Sequence, residues 1–122
     1  MRARVIRKFH FHAAHHVPSF PDGHQCRRVH GHTFHGELVL EGEVNPQTGL
    51  AVEFAHVKTT LQKVIDVVDH QLLNDIEGLE NPTTELLCDW FWKQLKPLLP
   101  QLKTIRLQET PNNIVEYDGP DA

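Results

Sequence analysis

Residues 30–44 read HGHTFHGELVLEGEV, and apolar side chains recur there at alternate positions, at Phe34, Leu38 and Leu40. Successive side chains of a β-strand point to opposite faces of the sheet. The alternation therefore predicts a strand over 30–44 with one buried face, on which His30 and His32 also lie. Two residues of extended chain span about 7 Å, so both imidazoles can reach one ion. Gly31, between them, is expected to leave room for a metal and a ligand to approach the backbone.

Upstream, the segment Ala13-Ala14-His15-His16 offers a third imidazole at His15. Catalytic zinc sites take three protein ligands and keep the fourth position open. A His-x-His pair is also common on a solvated strand face, but eight of the ten histidines lie between residues 10 and 35, and such enrichment favours metal binding. We therefore predict a metal site formed by His15, His30 and His32. Cys26 is the predicted nucleophile or base beside that metal.

Length and charge limit the classes of function. The chain has 122 residues, a formal net charge of -4 and two cysteines. This length predicts a single domain over residues 1–122, small for an enzyme that must enclose a ligand, so that subunit association would supply the missing walls. The negative charge gives no general attraction to nucleic acid or to an anionic membrane. Apolar runs are too short for a membrane span or a signal peptide, which predicts a cytoplasmic protein with Cys26 and Cys88 reduced.

The periodicities along the chain predict the element order β-β-α-α-β-β. Alternation predicts further strands over 3–14, 103–109 and 114–117, and residues 17–29 form a predicted loop that carries Cys26. Helical spacing predicts a helix over 54–68 and a second one, capped by Thr83 or Thr84, with a buried stripe of Leu86, Leu87, Trp90, Phe91 and Leu95. Strand pairs around a helix pair indicate an α+β fold, in which a four-stranded antiparallel sheet is covered on one face by both helices.

Two acidic positions outside the histidine cluster are candidates for chemistry. Asp69 precedes His70 just after the first predicted helix, and a carboxylate can orient an imidazole and raise its basicity for acid–base work near neutral pH. The dipole at a helix C-terminus alone would also favour a histidine there. Glu109 ends a predicted strand, where a carboxylate is either solvated or accepts paired N–H groups from a flat heterocycle.

Taken together, these segments resemble the family of 6-pyruvoyl-tetrahydropterin and 6-carboxy-tetrahydropterin synthases over nearly the whole chain. The resemblance is carried by residues 11–15 (FHAAH), 26–32 (CRRVHGH), 68–70 (VDH), 81–85 (NPTTE) and 108–110 (QET) with 112–115 (NNIV). It implies a tunnelling fold, in which the four-stranded sheets of several subunits join into a barrel. It also implies a homo-oligomer, a hexamer built as a dimer of trimers, with active sites at subunit boundaries.

The resemblance implies a role for each candidate residue. The implied zinc ligands are His15, His30 and His32, and the implied catalytic groups are the Cys26 thiol and the Asp69–His70 pair. Glu109 would anchor the amino and ring N–H groups of the pterin, with Thr83 and Thr84 along the pterin pocket. Arg27, Arg28 and Lys8 are candidates for a basic patch that binds triphosphate, although such charges are also ordinary on a solvated surface.

The spacing of three residues between Cys26 and His30 is similar to that of the queuosine-pathway branch of the family. That branch implies conversion of 7,8-dihydroneopterin triphosphate to 6-carboxy-5,6,7,8-tetrahydropterin, with loss of triphosphate and release of acetaldehyde. A 6-pyruvoyl-tetrahydropterin synthase of biopterin biosynthesis is the main alternative.

Two alternatives come from other classes of protein. A cupin-type metal enzyme would use His30-Gly31-His32 followed by Glu37, but two amphipathic helices do not suit a double-sheet barrel. A non-enzymatic, histidine-rich metal carrier or sensor would explain the histidine cluster. It would leave Cys26, the Asp69–His70 pair and Glu109 without a shared purpose.

Overall fold

The computed structural model describes residues 1–121, which form five strands and two α-helices around a hydrophobic core. The strands are β1 (Arg2–His15), β2 (His30–Glu43), β3 (Gln71–Leu72), β4 (Leu102–Thr110) and β5 (Asn113–Tyr117), and the helices are α1 (Phe54–Val68) and α2 (Thr84–Leu95). A 3₁₀ turn at Gln25–Arg27 lies between β1 and β2, and another at Leu73–Asp75 follows β3. The strands lie in the order β3-β1-β2-β4-β5. The α+β class predicted from the sequence is confirmed.

The long antiparallel pair of β1 and β2 is the centre of the sheet. Its register runs from Arg2 opposite Glu43 to His15 opposite His30. Alternate residues are buried from Phe9 onward in β1 and from Phe34 onward in β2. Each strand therefore has one face toward the core and one toward solvent, as its alternating sequence requires.

Both helices pack over the buried face of the sheet. The buried apolar residues of α1 recur at helical spacing at Val57, Leu61, Val64, Ile65 and Val68. In α2 they are Leu87, Cys88, Trp90, Phe91 and Leu95. The predicted place of Leu86 in this stripe is wrong, since its side chain is 48% exposed and Cys88 is fully buried instead. Burial raises the pKa of the Cys88 thiol to about 12. Neither helix in residues 1–121 is long and apolar enough to span a membrane.

The sheet differs from the predicted four-stranded antiparallel one by a fifth, parallel strand. β3 pairs with β1 only at Gln71 opposite Ala13 and Leu72 opposite Ala14. The order in the described residues is therefore β-β-α-β-α-β-β, and the sheet is mixed. The backbone of His70 brings β3 alongside β1, because its N–H donates to the His12 carbonyl at 2.6 Å. Two residues are too short to show a periodicity in sequence, which is why the pattern of the chain does not predict this strand.

A substitution at Gly36, the glycine opposite Phe9, tests the packing of this core. A Cβ atom at Gly36 would overlap the ring of Phe9, its cross-strand partner. We expect Gly36→Ala to lower the free energy of unfolding by about 1–3 kcal/mol, since the ring must leave its packed position. Chemical denaturation measures this change. Gly31→Ala in the same strand is the control, because the atom nearest to its new Cβ is Ala13 O at 3.8 Å. Equal stability of the two variants would contradict the packing described here.

Candidate metal centre

Three histidines converge where β1 ends and β2 begins. His15 is the cross-strand partner of His30, and His32 lies two residues further along β2 on the same face. One ligand atom from each of the three lies within 4.8 Å of the others. The Nε2 atoms of His15 and His30 are 3.1 Å apart. The structure thus brings together the three residues that the sequence predicted as metal ligands.

Two backbone carbonyls determine which nitrogen each ring presents to the cluster. Nδ1 of His15 is 2.8 Å from the Pro82 carbonyl, and Nδ1 of His30 is 2.7 Å from the Arg28 carbonyl. A carbonyl oxygen only accepts, so each Nδ1 carries the proton and each neutral ring has its lone pair on Nε2. Two lone pairs at 3.1 Å repel each other unless a cation or a proton lies beside them. Metal-bound histidines commonly have their second nitrogen held in this way.

Burial favours the neutral imidazoles that metals bind. The side chain of His15 is 1% exposed, and its burial lowers its pKa despite the opposing effects of the Pro82 carbonyl and Glu109. Burial also lowers the pKa of His32. The Nε2 atom of His32 is buried and has no hydrogen-bond partner among the described residues. Two imidazoles that burial keeps neutral, one of them with an unpaired nitrogen, fit a divalent transition metal.

Glu109 lies beside this cluster at the end of β4. Its Oε2 atom is 3.5 Å from Nε2 of His15 and 3.7 Å from Nε2 of His32. The same oxygen is buried without a hydrogen-bond partner in residues 1–121. An unpaired buried carboxylate oxygen is costly, so this position is suited to a cation or to N–H donors of a ligand. The sequence indicates Glu109 as a candidate, but no pattern in the sequence places its carboxylate within contact distance of the histidines.

The Asp69–His70 pair is attached to the outer edge of β1. Oδ1 of Asp69 accepts a hydrogen bond from the His12 backbone N–H at 2.9 Å, and Oδ2 lies 3.0 Å from Nδ1 of His70. These contacts, with the bond from His12 as the largest effect, lower the pKa of Asp69. The imidazole of His70 is exposed and borders an open cleft of about 590 Å³, which His12, His32 and Thr33 also line. An oriented, accessible imidazole is suited to proton transfer.

The other predicted site residues lie on nearby segments. Cys26 is half-buried on the 3₁₀ turn before β2, where its carbonyl accepts from the Val17 N–H at 2.8 Å. Its thiol lies outside the group of converging ligand atoms. Thr83 caps α2 by accepting from the Leu86 N–H at 3.2 Å, and Thr84 is the first residue of that helix. Both threonines directly follow Pro82 and therefore begin α2 beside His15.

The structure also places Gly31 and Arg27, which the sequence predicts to lie near a ligand. Gly31 is exposed and borders the open cleft of about 590 Å³, which His32 also lines. The guanidinium of Arg27 donates to the Pro18 and Phe20 carbonyls and lies 3.0 Å from Asp22. This arginine stabilises the loop that carries Cys26.

Comparisons with known proteins cover nearly the whole chain. A family model described as 6-pyruvoyl tetrahydropterin synthase matches residues 4–120. The 6-carboxy-5,6,7,8-tetrahydropterin synthase of Synechocystis sp. is 31% identical over an alignment 122 residues long that covers 95% of this chain and 93% of the relative. The dihydroneopterin monophosphate aldolase of Pyrococcus furiosus is 36% identical over an alignment 112 residues long that covers 89% of this chain and 91% of the relative. The solved 6-pyruvoyl tetrahydropterin synthase of Caenorhabditis elegans superposes with a TM-score of 0.89 at 29% identity, covering 98% of this chain and 96% of that one.

The lowered pKa of Asp69 leads us to predict how the free energy of unfolding depends on pH. The ionised carboxylate accepts from the His12 N–H, so its contribution is present above the ordinary aspartate pKa of about 3.9 and is lost as the pH falls through the lowered value. We expect metal-free Asp69→Asn to be less stable than wild type at pH 7, and the gap to narrow toward pH 3. Urea unfolding across this range measures the gap.

Asp66→Asn is the control for this prediction, because Asp66 is an exposed aspartate near the end of α1 whose one side-chain hydrogen bond in residues 1–121 comes from Gln62. Its stability should follow that of wild type at every pH. A gap for Asp69→Asn that stays constant with pH would contradict the assigned hydrogen bond.

Proposed function

This chain belongs to the 6-pyruvoyl tetrahydropterin synthase family, and from that membership we propose that it is a zinc-dependent 6-carboxy-5,6,7,8-tetrahydropterin synthase. The proposed reaction converts 7,8-dihydroneopterin triphosphate and one water to the 6-carboxy product, acetaldehyde and triphosphate, in queuosine (7-deazapurine) biosynthesis. The observation that best supports this proposal is the triad of His15, His30 and His32 with the unpaired carboxylate of Glu109 beside it. This arrangement supports a metal next to an anchor for a flat heterocycle.

The proposed zinc ligands are His15, His30 and His32. When bound, zinc would supply Lewis-acid polarisation of the side-chain hydroxyls of the pterin and would acidify the adjacent positions. The contribution of the protein is to hold two of the rings through the Pro82 and Arg28 carbonyls and to keep water from His15 by burial.

Glu109 is the proposed anchor of the pterin ring. Its carboxylate would accept hydrogen bonds from the amino and ring N–H groups, a paired geometry that carboxylates favour. Its distance of 3.5 Å from the His15 imidazole would place the pterin side chain close to the triad. Thr83 and Thr84 would line the pocket through backbone groups at the start of α2.

Cys26, Asp69 and His70 are the proposed acid–base groups. Asp69 holds Nδ1 of His70 at 3.0 Å, so that Nε2 of the exposed ring is free to give and take a proton. The Cys26 thiolate would take a proton from the pterin side chain. This division of roles leaves zinc binding independent of the proton-transfer residues.

We also propose that the active form is a homo-oligomer, a hexamer arranged as a dimer of trimers, in the cytoplasm. In the described residues β1 has a strand neighbour on its outer edge only at Ala13 and Ala14. Beside that edge lies an apolar groove to which Val5, Ile6 and Phe54 contribute, and Phe54 is 63% exposed. Open strand edges with apolar neighbours favour association with another strand.

Two other activities are supported by specific likenesses. The 29% identical solved relative is a 6-pyruvoyl tetrahydropterin synthase, and the 36% identical relative acts on dihydroneopterin monophosphate as an aldolase. Both would use the same triad and anchor. The pyruvoyl synthase activity differs from the main proposal in its product. The aldolase activity differs in the phosphate that its substrate carries. A metal carrier would bind zinc without turning over any pterin.

Product analysis tests the reaction. The zinc-loaded protein is incubated with 7,8-dihydroneopterin triphosphate or with the monophosphate, and acetaldehyde and the pterin mass are measured. We expect acetaldehyde and a 6-carboxy-tetrahydropterin from the triphosphate. A pyruvoyl product without acetaldehyde, or turnover of the monophosphate alone, would overturn the assignment, and zinc binding without turnover would favour a carrier.

Two substitutions separate zinc binding from proton transfer. We expect His30→Ala to lose zinc and activity together, and Cys26→Ala to keep zinc while turnover falls by about 100-fold or more, the contribution typical of a positioned proton-transfer group. Metal analysis and steady-state rates measure both. His56→Ala is the control, because His56 is exposed on α1 with its ring near the Leu98 carbonyl. Full activity of Cys26→Ala would remove Cys26 from the mechanism.

A further inference from the structure

A second set of three histidines lies on the solvent-facing side of the sheet. His10 and His12 are on β1 and His35 is on β2, and all three are exposed. His35 is the cross-strand partner of His10, and His12 lies two residues along the strand on the same face. None of the three belongs to the triad or to the proposed catalytic groups.

We call the solvent-facing side of the sheet the open face. The three histidines there are arranged as in the buried triad, except that β1 and β2 exchange roles. In the triad, β2 supplies the i and i+2 histidines and β1 supplies the partner opposite the first, His15 opposite His30. On the open face, β1 supplies positions i and i+2, and β2 supplies the partner opposite the first. A cross-strand pair and an i+2 neighbour on one face are the closest side-chain positions that an antiparallel sheet offers.

The ring separations on the solvent-facing side are about 1 Å larger than those in the triad. Ring centroids are 5.7 Å apart for His10 and His12, and 6.0 Å apart for His10 and His35. Within the triad the corresponding separations are 4.8 Å for His30 and His32 and 4.6 Å for His15 and His30. Exposed side chains change rotamer freely on the picosecond-to-nanosecond timescale. The open-face rings can therefore converge without a change in the backbone.

The surroundings of these rings are compatible with a cation. Nδ1 of His12 lies 2.9 Å from the Thr33 hydroxyl, which can hold that ring with Nε2 directed away from the strand. Gln108 is the β4 partner of His35 and offers an amide oxygen nearby. The next cross-strand pair on this face is Lys8 and Glu37; Glu37 is also paired with Arg106 at 2.6 Å, so opposite charges are mixed here.

We propose that His10, His12 and His35 form a second metal site, open to solvent, that binds a divalent transition-metal ion of the zinc class. Imidazole is a good ligand for Zn²⁺, Co²⁺, Ni²⁺ and Cu²⁺. The site binds more weakly than the triad, because its rings are exposed and must give up rotamer freedom to converge. It binds its ion independently of the triad, since the two sets share no residue and lie on opposite faces of the same strand pair.

Zinc stoichiometry tests this proposal without any assay of activity. Chelator-treated full-length protein is dialysed against increasing free Zn²⁺, and bound metal per chain is measured. We expect wild type to bind two ions per chain, one tightly and one weakly. The double variant His10→Gln/His35→Gln is expected to keep the tight ion and lose the weak one, while His32→Ala loses the tight ion and keeps the weak one. His56→Gln is the matched control and should bind both.

A second measurement needs no substitution. In wild type with the triad filled by zinc, Co²⁺ is added, and its paramagnetism should broaden the ring signals of His10, His12 and His35 in the NMR spectrum before those of His24 and His56. Uptake of a single ion by wild type would overturn the proposal. So would a weak ion that persists in the double variant, or Co²⁺ broadening that spares His10 and His35. Failure of the proposed pterin reaction would leave these results unchanged.

Discussion

The register between β1 and β2 is the constraint on which the rest of this protein depends. It sets His15 opposite His30 and Phe9 opposite Gly36 in one ladder. Because side chains alternate with a period of two, a slip of one residue in either strand would turn that strand's core residues toward solvent. It would also move His15 out of reach of His30. The same alignment thus fixes the hydrophobic core, the three converging imidazoles and the composition of the open face.

Burial contributes to packing and to chemistry at the same end of the sheet. The imidazole of His15 packs edge-to-face with the Phe34 ring, with centroids 5.8 Å apart, so the proposed metal ligands continue the apolar core. Removing water from a histidine disfavours its charged form, which leaves the lone pair available to a metal. The carbonyls of Pro82 and Arg28 then determine the direction of that lone pair. The polar site is therefore built from groups that the fold must position for its own packing.

The sequence predicts the parts of this structure that follow from periodicity. The alternation of β2 and the helical spacing of α1 identify both elements, and α1 begins and ends at the predicted residues, Phe54 and Val68. The shared face of His30 and His32 is also a consequence of alternation. Other features depend on backbone groups or on distant partners, for which side-chain identity carries no signal. The two-residue β3, the Pro82 carbonyl at His15 and the approach of Glu109 to the triad are of this kind.

His70 shows how stability and chemistry can compete at a single residue. Its backbone has φ of 59°, the one positive value outside glycine in the described chain, and this conformation costs an L-residue about 1–2 kcal/mol relative to glycine. Sequence optimisation that scores only folding free energy would therefore replace this histidine with glycine. The backbone bond to His12 could still form, and every strand could remain in place, but the exposed imidazole beside Asp69 would be gone. The proposed role of His70 in proton transfer requires that any thermostabilised version of this protein exempt position 70 from such optimisation.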